Sequence, residues 1–140
     1  MNALIDLNVI LDVLLEREPH AADAAAVMAL AEQRVIDASL CAASVDTLFY
    51  LIKRAKSAAD ARVLVRTVLS MLAVTDVTDA CVRAAVDGDW PDLEDAIIYH
   101  SARLAGADAI VTRNPHDFRR GALPLLSPAE MRALLRAQGA

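Results

Sequence analysis

Acidic and amide side chains recur in this 140-residue chain at points where a short apolar run ends. Carboxylates held close together repel one another unless a cation neutralises them or one of them takes a proton. Mg²⁺ and Mn²⁺ prefer such oxygen ligands, and a bound Mg²⁺ keeps waters that can attack a phosphodiester. The pattern therefore favours hydrolysis by metal-activated water. At or just after the ends of apolar runs lie Asp6, Asn8, Asp46, Asn114, Asp117 and the hydroxyl residue Thr112, whereas Asp92 and Asp95 lie near the start of a predicted helix.

Other chemistries have no motif to support them. The sequence contains no GxGxxG, P-loop or GxSxG segment, which disfavours nucleotide binding and serine hydrolysis. The three histidines follow no metal-ligand spacing, so we expect neither a zinc site nor a histidine general base. Cys41 and Cys81 lie in apolar stretches without a CxxC pattern, and we expect them to be buried, reduced thiols of a cytosolic protein.

Apolar periodicity predicts alternating strands and helices. We expect strands at residues 3–6, 35–42, 72–77, 109–112 and 125–126. We expect helices at 8–17, 19–33, 44–54, 57–71, 78–88, 91–105 and from 127 onward, with Ser44, Ser57 and Ser127 as caps and Gly106 as a terminator. This alternation is typical of a three-layer α/β/α sandwich with a central, mostly parallel sheet, in one domain spanning 1–140.

Such a fold gathers ligands at the carboxyl ends of its strands, where the strand order reverses. Asp6 is the clearest candidate there, with Asn8 expected to orient it, although an ordinary helix cap is the alternative role. Asp92 and Asp95 are predicted to share one helical face with Tyr99, whereas Glu94 points elsewhere. Asp12 lies deeper in the first helix and is a secondary candidate for the site.

Composition places limits on the partners. The hydrophobic share of 56% predicts a compact, helix-rich chain, and no apolar run approaches the roughly 18 residues of a membrane span. Asp6, Asn8 and Asp12 interrupt the first apolar run, so a signal peptide is not expected and the cytoplasm is the expected location. A net charge of −5 disfavours polyanion binding, unless carboxylates become locally cationic by binding metal.

The order of these segments resembles the PIN-domain family. An apolar strand runs into Asp-x-Asn-Val at residues 6–9, and Glu-Asp-Ala at 94–96 is followed by Thr-Arg-Asn-x-x-Asp-Phe at 112–118. The resemblance covers nearly the whole chain. It implies a ribonuclease dependent on Mg²⁺ or Mn²⁺, a homodimer, and a VapC-type toxin neutralised by an antitoxin protein. The apolar helices at 21–31 and 61–72 are candidates for the dimer face, with the core as the alternative.

Residue by residue, the resemblance makes Asp6, Asp95 and Asp117 the metal-binding and catalytic acids. Asn114 shares the last position with Asp117, and Thr112 and Asn114 would shape the pocket through hydrogen bonds. Many members carry a Glu early in the third helix, and Asp46 is the only acid that this chain offers there. That departure puts a two-metal mechanism in doubt. Candidate phosphate contacts are Arg17, Lys53, Arg54, Lys56, Arg113, Arg119 and Arg120.

Two other interpretations remain open. In the first, the PIN fold has a degenerate site and binds RNA or a protein without cleaving. In the second, the chain is a flavodoxin-like receiver or a haloacid-dehalogenase-like phosphatase. The phosphatase requires a second Asp two residues after the first, where this chain has Asn8, and the receiver requires a late Lys where it has Arg113 and Asn114.

Overall fold

The sheet is parallel throughout. The computed structural model describes residues 1–139 and contains five strands in the order β3-β2-β1-β4-β5, with every neighbouring pair parallel. The predicted sandwich around a parallel sheet is therefore confirmed. The strands are β1 (Asn2–Ile5), β2 (Asp37–Cys41), β3 (Ala73–Thr75), β4 (Ala109–Val111) and β5 (Leu125–Leu126).

Seven α-helices connect or follow the strands within residues 1–139. They are α1 (Leu7–Leu14), α2 (Ala21–Glu32), α3 (Ala42–Ala55), α4 (Ala58–Met71), α5 (Asp79–Asp87), α6 (Leu93–Leu104) and α7 (Pro128–Ala137). A 3-10 turn, Pro115–Phe118, follows β4. Within the same residues, none of these helices has the length and apolar character needed to cross a bilayer.

Two helix starts differ from the prediction because proline did not occupy the first turn. Asp92 is the N-cap of α6, and its carboxylate accepts a hydrogen bond from the Asp95 amide at 3.0 Å. The helix therefore begins at Leu93, two residues after Pro91. Likewise α2 begins at Ala21, after Pro19. The predicted caps Ser57 and Ser127 each accept a hydrogen bond from an amide of the helix they start, and so does Thr78 before α5. Ser44 was wrongly predicted as a cap, because α3 already begins at Ala42, after Cys41.

The sheet separates two hydrophobic cores. Ala3 and Ile5 of β1 pack on one side with α1, α2, α3, α4 and α7, whereas Leu4 packs on the other side with α6. This alternation is what a strand buried on both faces requires. The buried residues of α2 and α4 belong to the first core, so the apolar stripes at 21–31 and 61–72 serve mainly to pack the chain against itself.

The strand order reverses between β1 and β4. From β1 the chain builds outward through β2 to β3, and it then returns to add β4 on the opposite side of β1. Ile5 lies beside Val111 at the carboxyl ends of these two strands. Asp6 and Thr112, the next residues, consequently face each other at the switch point.

The segment between β4 and β5 is packed against the ring of Tyr99. Trp90 stacks on the same ring, with centroids 5.1 Å apart, and the Ala122 amide donates to the Tyr99 hydroxyl at 3.0 Å. A Cβ at Gly121 would overlap the Tyr99 ring. Glycine is therefore required at position 121 by close approach. This packing fixes the segment that carries Asp117.

We expect Gly121→Ala to destabilise the fold by about 1–3 kcal/mol, because a buried aromatic ring must shift to admit the methyl group. Urea unfolding of the variant beside the wild type measures the change. If the variant has the same free energy of unfolding as the wild type, position 121 is not in close contact with the Tyr99 ring.

Candidate active site at the carboxyl edge of the sheet

Asp6 is held between two donors. Its Oδ2 accepts a hydrogen bond from the Thr112 hydroxyl at 2.7 Å, and its Oδ1 accepts one from the Leu7 amide at 2.8 Å. Only 8% of the residue is exposed. Asp6 thus caps α1 and also presents a desolvated carboxylate at the switch point. The two roles proposed from sequence are compatible with each other.

Thr112 connects this carboxylate to the next loop. The residue is fully buried, and its Oγ1 also accepts a hydrogen bond from the Asn114 amide at 3.0 Å. Asn8 does not perform the orienting role predicted for it. Its Oδ1 accepts instead from the Arg113 amide at 3.4 Å, because the first turn of α1 directs it toward the loop after β4. Asn114 itself is exposed.

Five carboxylates make one electrostatic cluster: Asp6, Asp92, Glu94, Asp95 and Asp117. The pKa of Asp95 is raised to about 7, first by desolvation and then by the negative charges of the other four carboxylates. The pKa of Asp6 is also raised, first by desolvation and then by Asp117 and Glu94, against the opposing effect of its hydrogen bonds. The acids after β1, at the start of α6 and after β4 therefore meet, as the strand order requires.

Glu94 adds to the negative charge of the cluster. From the sequence it was expected to point away from the helix face of Asp92 and Asp95, and its charge nevertheless contributes to the raised pKa of both Asp6 and Asp95. Its own pKa is raised by desolvation and then by Asp92. Charges interact through space over several ångströms in a poorly hydrated region, so a shared helix face is not required. The Asp-x-Glu-Asp spacing in the first helical turn was the available signal.

A cleft of about 680 Å³ opens beside the cluster. Asp92, Asp95 and Asp117 line it together with His116, Arg119 and Arg120. Arg120 is tied to the exposed Asp89 by an ion pair of 2.9 Å, whereas no ion pair of the described chain involves Arg119. Acids and cations thus border the same space. Such a cleft suits a phosphate group that is approached by a cation from one side and a guanidinium from the other.

The donor chemistry of the cluster fits a hard divalent cation. Carboxylate oxygens are the ligands that Mg²⁺ and Mn²⁺ prefer, and mutual repulsion is the energetic cost that such a cation would relieve. Among residues 1–139, however, no three His, Cys, Asp or Glu side chains are already arranged as a ligand set. The fit of Asp6, Asp95 and Asp117 to a cation therefore rests on their donor chemistry and their electrostatic proximity.

Asp46 lies apart from the cluster. It is exposed on α3, and it is not among the charges that raise the pKa of Asp6 or Asp95. The neighbouring Ser44 is buried. The structure thus does not bring Asp46 together with the other predicted acids, because its position on α3 leaves it exposed to solvent. Its catalytic role stays a prediction from the resemblance alone.

An ion pair between Asp12 and Arg113 connects two of the segments that form the site. Arg113 donates from Nε to Asp12 Oδ2 at 2.6 Å and from a terminal nitrogen to Oδ1 at 3.2 Å, and Asp12 is 1% exposed. Arg17 approaches the same carboxylate at 3.8 Å. Arg113 was predicted to contact phosphate, but two of its nitrogens are engaged with Asp12. This pair joins α1 to the loop that carries Thr112.

We expect Asp12→Ala to lower the free energy of unfolding by about 3–5 kcal/mol, because it leaves the half-buried Arg113 without its counter-charge. Asp79→Ala is the matched control, since it breaks the exposed Asp79–Arg83 pair on α5. That control should cost less than about 1 kcal/mol. Equal losses in the two variants would show that the Asp12–Arg113 pair is not a structural support.

The raised pKa of Asp95 predicts a pH-dependent stability in the metal-free protein. The folded chain binds this proton more tightly than the unfolded chain, whose Asp has a pKa near 3.8. The contribution of Asp95 is therefore fully present below about pH 4 and is lost as the pH rises to about 7. In EDTA at about pH 7.5, Asp95→Asn should melt at a higher temperature than the wild type.

Asp87→Asn, at the exposed end of α5, controls for a general change in net charge. It should leave the melting temperature nearly unchanged. An Asp95→Asn variant that melts below the wild type at about pH 7.5 would contradict the repulsion described above.

The sequence and the structure of the chain were compared with those of known proteins. No curated protein sequence matches the chain. Its structure resembles VapBC2 from Rickettsia felis bound to a DNA fragment from its promoter, with a TM-score of 0.71 and 18% identity over 91% of this chain and 98% of that one. VapC20 of Mycobacterium tuberculosis gives a TM-score of 0.69 and 12% identity over 86% of this chain and 96% of that one.

A toxin–antitoxin complex from Klebsiella pneumoniae gives a TM-score of 0.67 and 22% identity over 90% of this chain and 97% of that one. These likenesses establish a shared fold. The sequence itself matches the PIN domain model over residues 2–116. That match spans most of the chain and includes the acids after β1 and at the start of α6, so the chain belongs to the PIN domain family.

Proposed function

We propose that this protein is a divalent-metal-dependent ribonuclease and the toxin of a toxin–antitoxin pair. The observation that carries the proposal is the carboxylate cluster at the switch point, where Asp95 has its pKa raised to about 7. A fold has no packing reason to gather repelling acids at one edge. A bound cation would neutralise the repulsion among these acids, and it would attract a phosphate group to the same place.

Asp6, Asp95 and Asp117 would hold the cation, with Glu94 adding negative charge nearby. A divalent ion in such a site supplies a nucleophile by lowering the pKa of a coordinated water, and it offsets charge on the phosphodiester. Thr112 keeps Asp6 oriented by donating to one of its oxygens. Asp92 holds the amide of Asp95, which fixes where the first turn of α6 places that carboxylate.

RNA is the proposed substrate because the cleft borders cations as well as acids. Arg119 and Arg120 line it together with the carboxylates and can donate to phosphate oxygens. The structurally similar VapC20 is described as a toxin that cleaves the sarcin–ricin loop. That likeness supports RNA as the substrate class of this chain.

The toxin role is supported by the complexes that share the fold. The Klebsiella pneumoniae structure is a toxin–antitoxin complex, and this chain covers 97% of the matched chain. We therefore propose an antitoxin protein as the partner of this chain. The homodimer implied by the resemblance to the PIN-domain family, and a cytoplasmic location, are parts of the same proposal.

Two observations favour a second candidate function. Asp46 is exposed away from the cluster, and the described acids do not already form a three-residue ligand set. A PIN domain with a degenerate site that binds RNA or a protein without cleaving it would show both features. Cleavage assays distinguish the two candidates.

We expect the purified chain, freed of any partner, to cleave a mixed RNA substrate with Mg²⁺ or Mn²⁺ and not with EDTA. Asp6→Asn and Asp95→Asn should each lower the rate by about a hundredfold or more, since each removes a charge that holds the cation. Asp87→Asn, an exposed acid at the end of α5, should cleave like the wild type.

Absence of cleavage by a folded wild type would favour the degenerate site. Cleavage that persists in EDTA or in Asp6→Asn would instead point to a contaminating nuclease or to another site. Asp46→Asn belongs in the same series. A loss of activity in that variant would show that Asp46 takes part in catalysis.

A further inference from the structure

The positive charge of this acidic chain is concentrated on the hairpin of α3 and α4. Residues 49–66 contain five Lys or Arg and one Asp, a local net charge of +4, whereas the rest of the chain has nine Lys or Arg and eighteen Asp or Glu. The five cations, here called the basic hairpin, are all exposed. They are Lys53, Arg54, Lys56, Arg62 and Arg66.

These cations are not balanced within the described chain. The ion pairs of residues 1–139 involve Arg17, Arg83, Arg113, Arg120 and Arg132, none of which belongs to the basic hairpin. Like charges concentrated on one surface repel each other and destabilise the compact state. A polyanionic partner would remove that cost.

Helix dipoles explain only part of the pattern. Lys53 and Arg54 lie in the last turn of α3, where a positive charge interacts favourably with the helix C-terminus. Arg62 and Arg66 lie in the first and middle parts of α4, where the dipole gives no such benefit. The helix dipole therefore accounts for the placement of Lys53 and Arg54 but not for that of Arg62 and Arg66.

Aromatic rings accompany the charges. The Arg54 guanidinium lies 5.8 Å from the centre of the Tyr50 ring, and the Arg62 guanidinium lies 5.5 Å from the centre of the Phe49 ring. The second contact crosses from α4 to α3 and joins the cations of both helices into one surface. Tyr50 is 56% exposed, so its ring is available for stacking. Exposed rings among Arg and Lys side chains are typical of single-stranded nucleic-acid surfaces.

The basic hairpin also lies within reach of the candidate site. Lys56, between α3 and α4, borders a shallow cavity of about 290 Å³ together with Leu14 at the end of α1. Asp6 caps the other end of α1, and eight residues of α-helix rise about 12 Å. A few nucleotides of extended strand can span that distance. The hairpin and the acid cluster can therefore engage one RNA molecule.

We propose that the basic hairpin is the RNA-docking surface of this protein and holds the phosphate backbone of single-stranded substrate outside the acid cluster. The proposal rests on the proposed function for its choice of polyanion. It assigns binding to the hairpin and cleavage to the acids. These two properties can be measured separately.

The test uses the full chain carrying Asp6→Asn and a labelled single-stranded RNA of about 20 nucleotides, followed by fluorescence anisotropy. Lys53→Gln, Arg54→Gln and Lys56→Gln are combined in one variant, and Arg62→Gln with Arg66→Gln in a second. The matched control combines Arg83→Gln, Arg103→Gln and Arg136→Gln, three exposed cations of α5, α6 and α7. Thermal melts verify that every variant is folded.

We expect the triple hairpin variant to bind RNA about tenfold or more weakly, and the control to bind within about twofold of the parent. Between about 50 and 200 mM salt, the slope of log K against log salt should be shallower by about 0.7 for each lost phosphate contact. The Arg62 and Arg66 variant should show the same effect, which guards against local unfolding at the end of α3.

RNA binding with an unchanged affinity and slope in both hairpin variants would overturn the proposal, as would the absence of any RNA binding by the parent. Tighter, hairpin-dependent binding of polyglutamate than of RNA would also overturn it in favour of an acidic protein partner. The proposed function is judged by cleavage in the wild type. Hairpin-dependent binding without cleavage would sustain the docking surface and reject the nuclease.

Discussion

The candidate site depends on the hydrogen bond between the Thr112 hydroxyl and the Asp6 carboxylate. This 2.7 Å contact joins residues 106 positions apart across the switch point between β1 and β4. It partly compensates a carboxylate that is desolvated and repelled by its neighbours. The same Asp6 begins α1, and the same Thr112 fixes the backbone of Asn114. The geometry of the acids is thus determined by the sheet and not by a mobile loop.

The surrounding elements maintain this arrangement from three directions. The Asp12–Arg113 ion pair holds α1 to the loop after β4, and the Asp92 cap fixes the first turn of α6. The close contact of Gly121 with Tyr99 holds the segment after Asp117. Each support lies outside the repelling carboxylates. A site that concentrates negative charge requires such external supports, since its own members favour separation.

Sequence reasoning was most successful where a physical rule links spacing to placement. Parallel strands present their carboxyl ends at one edge, which predicted that Asp6 and Asp117 lie near each other, and the family resemblance added Asp95. The structure brings all three into one electrostatic cluster. The caps at Ser57, Thr78 and Ser127 follow from hydrogen bonding to the free amides of a helix N-terminus. The parallel sheet follows from the alternation of strands and helices.

The contacts that sequence reasoning missed depend on directions that spacing does not encode. Asn8 was predicted to orient Asp6, but its side chain accepts a hydrogen bond from the backbone amide of Arg113. Arg113 was predicted to contact phosphate, but its side chain is paired with Asp12, which lies 101 residues away in the sequence. Glu94 was excluded by its helix face, although Coulomb interactions extend beyond one face. Pro91 suggested a helix start that Asp92, a better cap, moved by two residues.

Titration of the protein with Mn²⁺, followed by the electron paramagnetic resonance of the free ion, tests the central claim most directly. The claim is that the repelling acids at the switch point form a divalent-cation site. The wild type should remove Mn²⁺ from solution, Asp95→Asn should bind it at least about tenfold more weakly, and Asp87→Asn should bind like the wild type. A folded wild type that binds no Mn²⁺, or an Asp95→Asn variant that binds it equally well, would contradict the account.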